Sequence, residues 1–420
     1  MSGTGEARTI LLAIEEIPPW PGESWRAYGH RVAQRLTPLR HRAEQAAGLE
    51  LTPLLAANGF CGQATEEAIL RIRAGVLGPE VSLIEWGEEL PGGQMHSAVR
   101  EVGLGRGAGV ASPGHNYLTG RGVSVAVLDS GIDARHPWLA VEGAVSTCPE
   151  PAGVPGWHGT HCAGLIASRS PRYLGLAPGV RLLDVKVSRA GGWLHPAWFA
   201  RGIDAALDLN ADILSISLGF NRLPANVANG HGWNCADGRC LLCRAVDHAV
   251  LVGTLVVAAA GNEHLRVRGL RNRGVELQPA AELLCPASAR RALAVGALET
   301  WPKVRLWPHS SWGRRGSDRP ELLAPGVDLA STVPVREDGR VLDNFALFGT
   351  GTGTSAAAAV TAGAAALIRE RRCAAGLSPS PRAIRRELLA RCLPLLSPDG
   401  RPSRRLDLSS LGLSRPEGEN

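Results

Sequence analysis

The chain has 420 residues, 45% hydrophobic and 20% charged, a profile that argues against a disordered or fibrous chain and supplies apolar matter for one large domain plus one small one. The formal charge of +6 is almost all arginine, with Lys186 and Lys303 the lysines, and residues 1–100 carry −3 against +9 for the remainder. The basic residues form no dense run interleaved with aromatics, which argues against a nucleic-acid groove, and no stretch approaches the roughly 18 apolar residues of a membrane span.

The start, MSGTGEARTILLAIEE, has one Arg and a short apolar stretch, then acidic residues and Pro18-Pro19. It lacks the apolar length and cleavage pattern of a signal peptide. The chain therefore reads as cytoplasmic, or as exported by a route that leaves no recognisable signal.

Thr9 to Ile14 predicts a short strand. From Trp25 the positions Trp25, Tyr28, Val32, Leu36, Leu39, Ala43 and Ala46 recur at steps of three or four, one helical face, which Pro38 should kink or interrupt. Leu49 to Ala57 and the stretch around Phe60 supply two more strands. Thr65 can cap a second helix running to about Arg73, and Val81 to Trp86 makes a last strand. The order over residues 8–90 is βαββαβ. Pro91 to Gly120, with Pro91-Gly92-Gly93 and Ser112-Pro113-Gly114, reads as a Gly-rich linker.

Beyond it, the apolar runs Val123–Leu128, Arg181–Val187, Ile213–Leu218, Leu255–Ala260 and Ala292–Ala297 alternate with helical segments. Runs of this length separated by helices indicate an α/β domain, a parallel sheet with helices on both faces. No internal repeat and no low-complexity tract is present.

Three strings on this framework carry chemistry: DSGID at Asp129–Asp133, HGTHCAG at His158–Gly164 and GTSAAAA at Gly353–Ala359. Asp129 ends a strand at the carboxyl edge of the sheet, where open α/β folds place their sites. Taken alone it is a turn or cap residue. His158 and His161 alone would be a metal pair or core histidines, and Cys162 a small buried hydrophobe. Ser355 follows a Gly-Thr run that can turn sharply into a helix, whose positive end favours a developing alkoxide; a bare Gly-Thr-Ser is usually a helix cap. Together they supply an orienter, a base and a nucleophile in the chain order Asp, His, Ser.

These motifs, over roughly Gly120 to Leu413, resemble the subtilisin-like serine protease family, in which that order holds a catalytic triad. The resemblance implies a subtilisin-like catalytic domain at 121–413, a linker with the processing site at 91–120, and an inhibitory propeptide-like α+β domain at 8–90, since such a βαββαβ unit precedes many relatives. It assigns Ser355 as nucleophile, His158 as base with His161 a structural neighbour, and Asp129 as orienter of His158. Ala259-Ala260-Gly261-Asn262 follows a buried strand, and Asn262 matches the family's side-chain oxyanion donor, partnered by the Ser355 backbone N–H. Ser217, Leu218 and Gly219 resemble the strand edge that pairs with an extended peptide, and Ala260 and Gly261 the facing wall of the specificity pocket. Leu284 suggests a shallow pocket, whereas Glu263 at its rim favours a basic residue. The chain departs from the family at Ala356, where Met is usual, and at Ala359-Val360, where Pro-His is usual.

The implied activity is a self-processing serine endopeptidase whose partners are an extended polypeptide substrate and its own N-terminal propeptide, with no nucleic acid and no membrane. A peptide ligase or macrocyclase on the same triad, and a non-catalytic peptide-binding module, are the competing readings. No cofactor is required for the chemistry. Calcium is common in relatives, but no ligand set can be assigned. Nine cysteines do not settle the redox compartment. Cys235, Cys240 and Cys243 with a distant Cys285 give a weak zinc signal, against which free thiols and disulfides stand open, and no metal ligand is assigned.

Overall fold

The computed structural model describes residues 8–74, 76–77, 81–85, 90–91, 118–220, 235, 238–275, 277, 282–300, 303–314, 316–335, 347–397 and 400–408. Most of the expected linker, residues 92–117, and residue Trp86 of the fourth expected strand lie outside them.

The N-terminal unit runs β1 (Arg8–Ile14), α1 (Trp25–Ala47), β2 (Leu51–Leu54), β3 (Gly59–Ala64), α2 (Glu66–Arg73) and β4 (Val81–Glu85). Its strands form an antiparallel sheet in the order β2-β3-β1-β4. The expected Thr65 cap is present, its hydroxyl accepting the Ala68 N–H. The helix α1 starts at the Ser24 cap and ends at Gly48, whose φ of 65° is a left-handed stop. Of the two expected effects of Pro38, a kink or an interruption, the second is not seen, for α1 runs on through it. A proline costs a helix interior about 3 kcal/mol, while Tyr28, Val32 and Leu36, all buried, each contribute roughly 1.5–3 kcal/mol against the sheet. Burial of the face outweighs the break.

Two-residue β5 (Leu90–Pro91) comes next. The remainder follows as β6 (Ser124–Asp129), β7 (Val141–Ser146), α3 (Trp157–Ala167), β8 (Arg181–Lys186), β9 (Trp193–Leu194), α4 (Pro196–Asp208), β10 (Ile213–Ile216), α5 (Leu241–Leu251), β11 (Leu255–Ala259), α6 (His264–Asn272), β12 (Leu293–Glu299), β13 (Arg305–Leu306), β14 (Leu322–Pro325), β15 (Leu329–Thr332), β16 (Phe348–Gly351), α7 (Thr354–Ala374), α8 (Pro381–Ala390), β17 (Leu393–Leu396) and β18 (Pro402–Arg405). The main sheet has the order β17-β18-β14-β12-β11-β10-β6-β8-β7. It is parallel except where β17 meets β18 and where β13 flanks β12.

Side chains alternate through this sheet, as period-2 strands require. From β6, Ala126 and Leu128 face a core shared with α4 and α5, while Val125 and Val127 face one shared with α3, α7 and α8. From Thr354 to Ile368 the helix α7 is buried on all sides, the condition for a helix apolar all round. Strand order runs from β6 outward in both directions, β8 and β7 to one side, β10, β11, β12 and β14 to the other. The chain thus reverses direction between β6 and β10, and ligand sites of open α/β sheets form at such a switch point beyond the carboxyl ends of the strands.

The N-terminal unit docks on α4 and α5. Leu11, Ala13, Leu54, Ala56, Ala57 and Cys61 join the core that those helices share with the main sheet. Polar contacts fix the register: the Asp204 carboxylate accepts the N–H groups of Leu55 and Ala56 at 2.8 and 2.9 Å, Arg244 donates to the Ile14 carbonyl at 2.9 Å, and Tyr28 Oη lies 2.8 Å from His248 Nδ1. Burial pushes the Asp204 carboxyl up to about 7 although both N–H bonds oppose the shift. Further along, β5 pairs antiparallel with β9, Leu90 opposite Leu194 and Pro91 opposite Trp193, so Pro91 belongs to a strand rather than to the linker.

Candidate active site

Asp129 is the last residue of β6 and is fully buried. Its Oδ1 accepts the Ser130 N–H at 2.7 Å. His158 is the second residue of α3, and its Nδ1 lies 2.8 and 2.9 Å from the two Asp129 oxygens. The helix approaches this strand end because Gly159 has no side chain: a Cβ there would stand 2.5 Å from the Gly131 carbonyl oxygen. Gly164 seats the other end of α3 in the same way, against Ser331 and Thr332.

Burial disfavours the charged His158 ring, yet the Asp129 carboxylate at hydrogen-bond distance more than offsets this and holds the imidazole well above its ordinary value. His158 Nε2 lies 4.0 Å from the Cys162 sulfur, one helical turn on. His161 behaves oppositely. Burial drops it to about 4, and the neutral ring stacks on Trp157 at 4.9 Å and bonds the Leu329 carbonyl through Nε2 at 3.0 Å. The expectation of a structural neighbour for His161 agrees with this geometry.

Ser355 is the second residue of α7 and 5% exposed. It lines a small cleft together with His158, Trp157, Gly351 and Ala356, so the Asp, His and Ser motifs meet at one place. Ala356, where the family usually has Met, keeps that cleft free of a long side chain. The Ser355 carbonyl accepts the Ser217 hydroxyl at 3.0 Å. Asn262 stands across the turn into α7. Its Oδ1 accepts both the N–H and the hydroxyl of Thr354 at 3.0 Å, which leaves its NH₂ as the outward donor. That Nδ2 and the Ser355 Oγ flank Gly353, at 3.2 and 3.1 Å from where a Cβ would sit. Any side chain at Gly353 would fill the space between donor and hydroxyl.

Of the expected substrate-binding residues, Gly219 and Gly261 face each other across the Leu284 side chain: Cβ atoms built on them would meet it at 3.1 and 2.8 Å. Leu284 itself is 3% exposed. Ala260, expected on the facing wall, is buried. Its N–H goes to the Val295 carbonyl at 2.9 Å and its own carbonyl accepts the Leu284 N–H at 2.9 Å, so both backbone groups are used inside the fold. Leu218 is buried. Glu263 is also buried and raised by burial above its ordinary value, with Arg266 at 3.7 Å opposing the shift. That arrangement weakens the case for Glu263 as a receptor for a basic side chain.

Two features had no signal in the sequence. Fully buried Lys186 ends β8, donates to the Ser130 carbonyl and pairs with Glu150 at 2.9 Å, bracing the turn that follows Asp129. Thr354 orients Asn262 from its own position beside Ser355.

The model of the subtilase family matches residues 120–393, and the chain belongs to that family. Subtilisin E of Bacillus subtilis (strain 168) is 34% identical over 221 residues, covering 51% of this chain and 50% of the relative. The chain thus spans about half the length of that curated relative. Among solved structures, the prenylagaramide maturation protease PagA is 27% identical with a TM-score of 0.50, over 66% of this chain and 86% of the other. Fervidolysin from Fervidobacterium pennivorans, a keratinolytic enzyme related to subtilisin, is 19% identical with a TM-score of 0.65 and covers 99% of this chain and 62% of its own. That likeness concerns the fold and extends over the N-terminal unit. No helix among the described residues is long and apolar enough to cross a membrane.

Proposed function

We propose that the chain is a serine endopeptidase made as a self-processing zymogen. Ser355 attacks the scissile carbonyl, His158 takes its proton and later gives it to the leaving amine, and Asp129 keeps the proton of the neutral imidazole on Nδ1 and stabilises the imidazolium. Asn262 Nδ2 and the Ser355 N–H hold the oxyanion. A peptide lies extended along Ser217–Gly219. The observation that carries this reading is His158 itself, bonded through Nδ1 to buried Asp129 and sharing one cleft with Ser355.

Replacing Asn262 by Ala should lower turnover by about a hundredfold to a thousandfold with little change in KM, because the donor acts on charge present only in the transition state. Steady-state kinetics on a chromogenic peptide decide it. A loss carried by KM alone would assign Asn262 to ground-state binding instead.

Residues 8–90 act as the inhibitory propeptide, with self-cleavage between Pro91 and Gly120. Support comes from the docking of that unit on α4 and α5 and from β5, which reaches the main domain as a strand paired with β9. Intact-mass measurement should show wild type losing an N-terminal fragment of this size over time while Ser355→Ala stays whole, and the isolated fragment should inhibit the mature enzyme. A wild-type chain that remains full length and fully active would leave the N-terminal unit a permanent domain.

A second reading has the likeness to a maturation protease behind it: the acyl-enzyme is resolved by an amine rather than by water, making a ligase or macrocyclase. Product mass separates the two, since transfer to an amine leaves out the water that hydrolysis adds.

A further inference from the structure

Four cysteines converge away from the cleft. The sulfurs of Cys235, Cys240, Cys243 and Cys285 all lie within 4.8 Å of one another, with separations of 3.0 Å for Cys235–Cys243, 3.3 Å for Cys240–Cys285 and 3.7 Å for Cys243–Cys285. A disulfide would hold its pair at about 2.0 Å. Four thiolates on a tetrahedral zinc, with Zn–S bonds of about 2.3 Å, stand about 3.8 Å apart. Two disulfides would separate the sulfurs into pairs, whereas here each sulfur has all three others as near neighbours.

The setting suits metal ligands. Cys240 is the N-cap of α5 and Cys243 lies in its first turn, with the Cys243 N–H donating to Cys240 Sγ at 3.4 Å; the helix N-terminus stabilises negative charge. Cys235, Cys243 and Cys285 are fully buried. The Ser288 hydroxyl stands 3.1 and 3.4 Å from the sulfurs of Cys235 and Cys243, an outer partner of the kind that orients metal ligands.

We propose that Cys235, Cys240, Cys243 and Cys285 form a structural zinc site, closed by four thiolates. Each thiol gives its proton to solvent and an electron pair to the metal, so one Zn²⁺ enters and four protons leave, with no change of oxidation state. Soft thiolates select such a metal, and four protein ligands leave no open position for chemistry. The ion fastens the start of α5, the helix that carries Arg244 and His248 against the N-terminal unit, to the turn after Leu284. Cys285 in that turn exchanges both backbone hydrogen bonds with Phe220, next to the Ser217–Gly219 edge. The site stands whether or not the chain hydrolyses peptides.

The test uses the full chain, dialysed against zinc and then against metal-free buffer. Elemental mass spectrometry should find about one zinc per chain, and the cobalt-substituted protein should show the intense thiolate-to-cobalt absorption and tetrahedral visible bands of a four-sulfur site. Exposed Cys373 should alkylate at once in the native protein, and the four cluster cysteines only after a chelator is added. Cys243→Ser with Cys285→Ser should abolish the stoichiometric zinc. Because that variant could fail to fold, the wild-type mass is read separately under denaturing, non-reducing conditions and should show the four cysteines reduced. Wild type with less than about a tenth of a zinc per chain overturns the proposal, whether the cysteines prove oxidised in pairs or free. So does zinc that stays stoichiometric in the double variant.

Discussion

Ser355→Ala should abolish peptide hydrolysis while the chain still folds. Alanine is the best helix former, the position opens a helix whose next four residues are Ala356–Ala359, and the backbone carbonyl that accepts the Ser217 hydroxyl is retained. In subtilisin, loss of the serine costs about 2 × 10⁶ in turnover, and what remains over the uncatalysed rate comes from binding and the oxyanion donors. Circular dichroism and turnover of a peptide substrate check both halves. Retention of more than about a thousandth of wild-type turnover would place the nucleophile elsewhere. Cys162 is the obvious rival, its sulfur 4.0 Å from His158 Nε2. A fluorophosphonate probe should label wild type and Cys162→Ala alike, and should leave Ser355→Ala unlabelled.

Asp129→Asn should lower turnover by about 10⁴ with the fold intact. The reason lies in how the carboxylate divides its bonds. Oδ1 already accepts the Ser130 N–H at 2.7 Å, so an amide would set its carbonyl there and turn its NH₂ toward His158 Nδ1. That nitrogen must then accept, which moves the ring proton to Nε2, where it blocks proton transfer from Ser355. The pH profile should move as well. In wild type the raised His158 value puts the acid limb of kcat/KM above the ordinary 6.5 of a histidine, because the base must lose its proton before it can act. The neutral amide removes the stabilising charge and should shift that limb to lower pH. The stability contribution has the opposite sense. The His158–Asp129 ion pair is fully formed below the ordinary histidine value and is lost as pH rises through the raised one. A limb left unmoved by Asp129→Asn would mean that another group sets it.

What was legible in the sequence follows from what is local. The strands β6, β8, β10, β11 and β12 announce themselves as runs of Val, Leu, Ile and Ala because both faces of each are covered. The caps at Thr65 and the Gly-rich turns at Asp129 and Ser355 are local too. Illegible were contacts that only the folded sheet creates: the Ser217 hydroxyl on a carbonyl 138 positions away, the pairing of β5 with β9, and the sulfur of Cys285 brought to Cys240 across 45 positions. The edge pair β17 and β18 also escaped, since Leu393-Pro394-Leu395-Leu396 carries a proline and leaves Leu396 74% exposed, a pattern unlike a buried strand. At Pro38 the local rule left a kink and a break as alternatives, and burial of the helical face kept α1 continuous.

The Ser217–Ser355 hydrogen bond makes one mechanical part out of two. The hydroxyl that clasps the carbonyl of Ser355 at 3.0 Å belongs to the same short segment along which a peptide would lie, so the rail and the attacking atom share a common datum. The bond ties the segment that follows β10 to the second residue of α7, alongside the apolar packing that seats α7 on the sheet. Misplacement of about 1 Å can cost a hundredfold in rate, and the Ser217 hydroxyl adds a polar tie at the reacting end of a helix otherwise located by apolar packing.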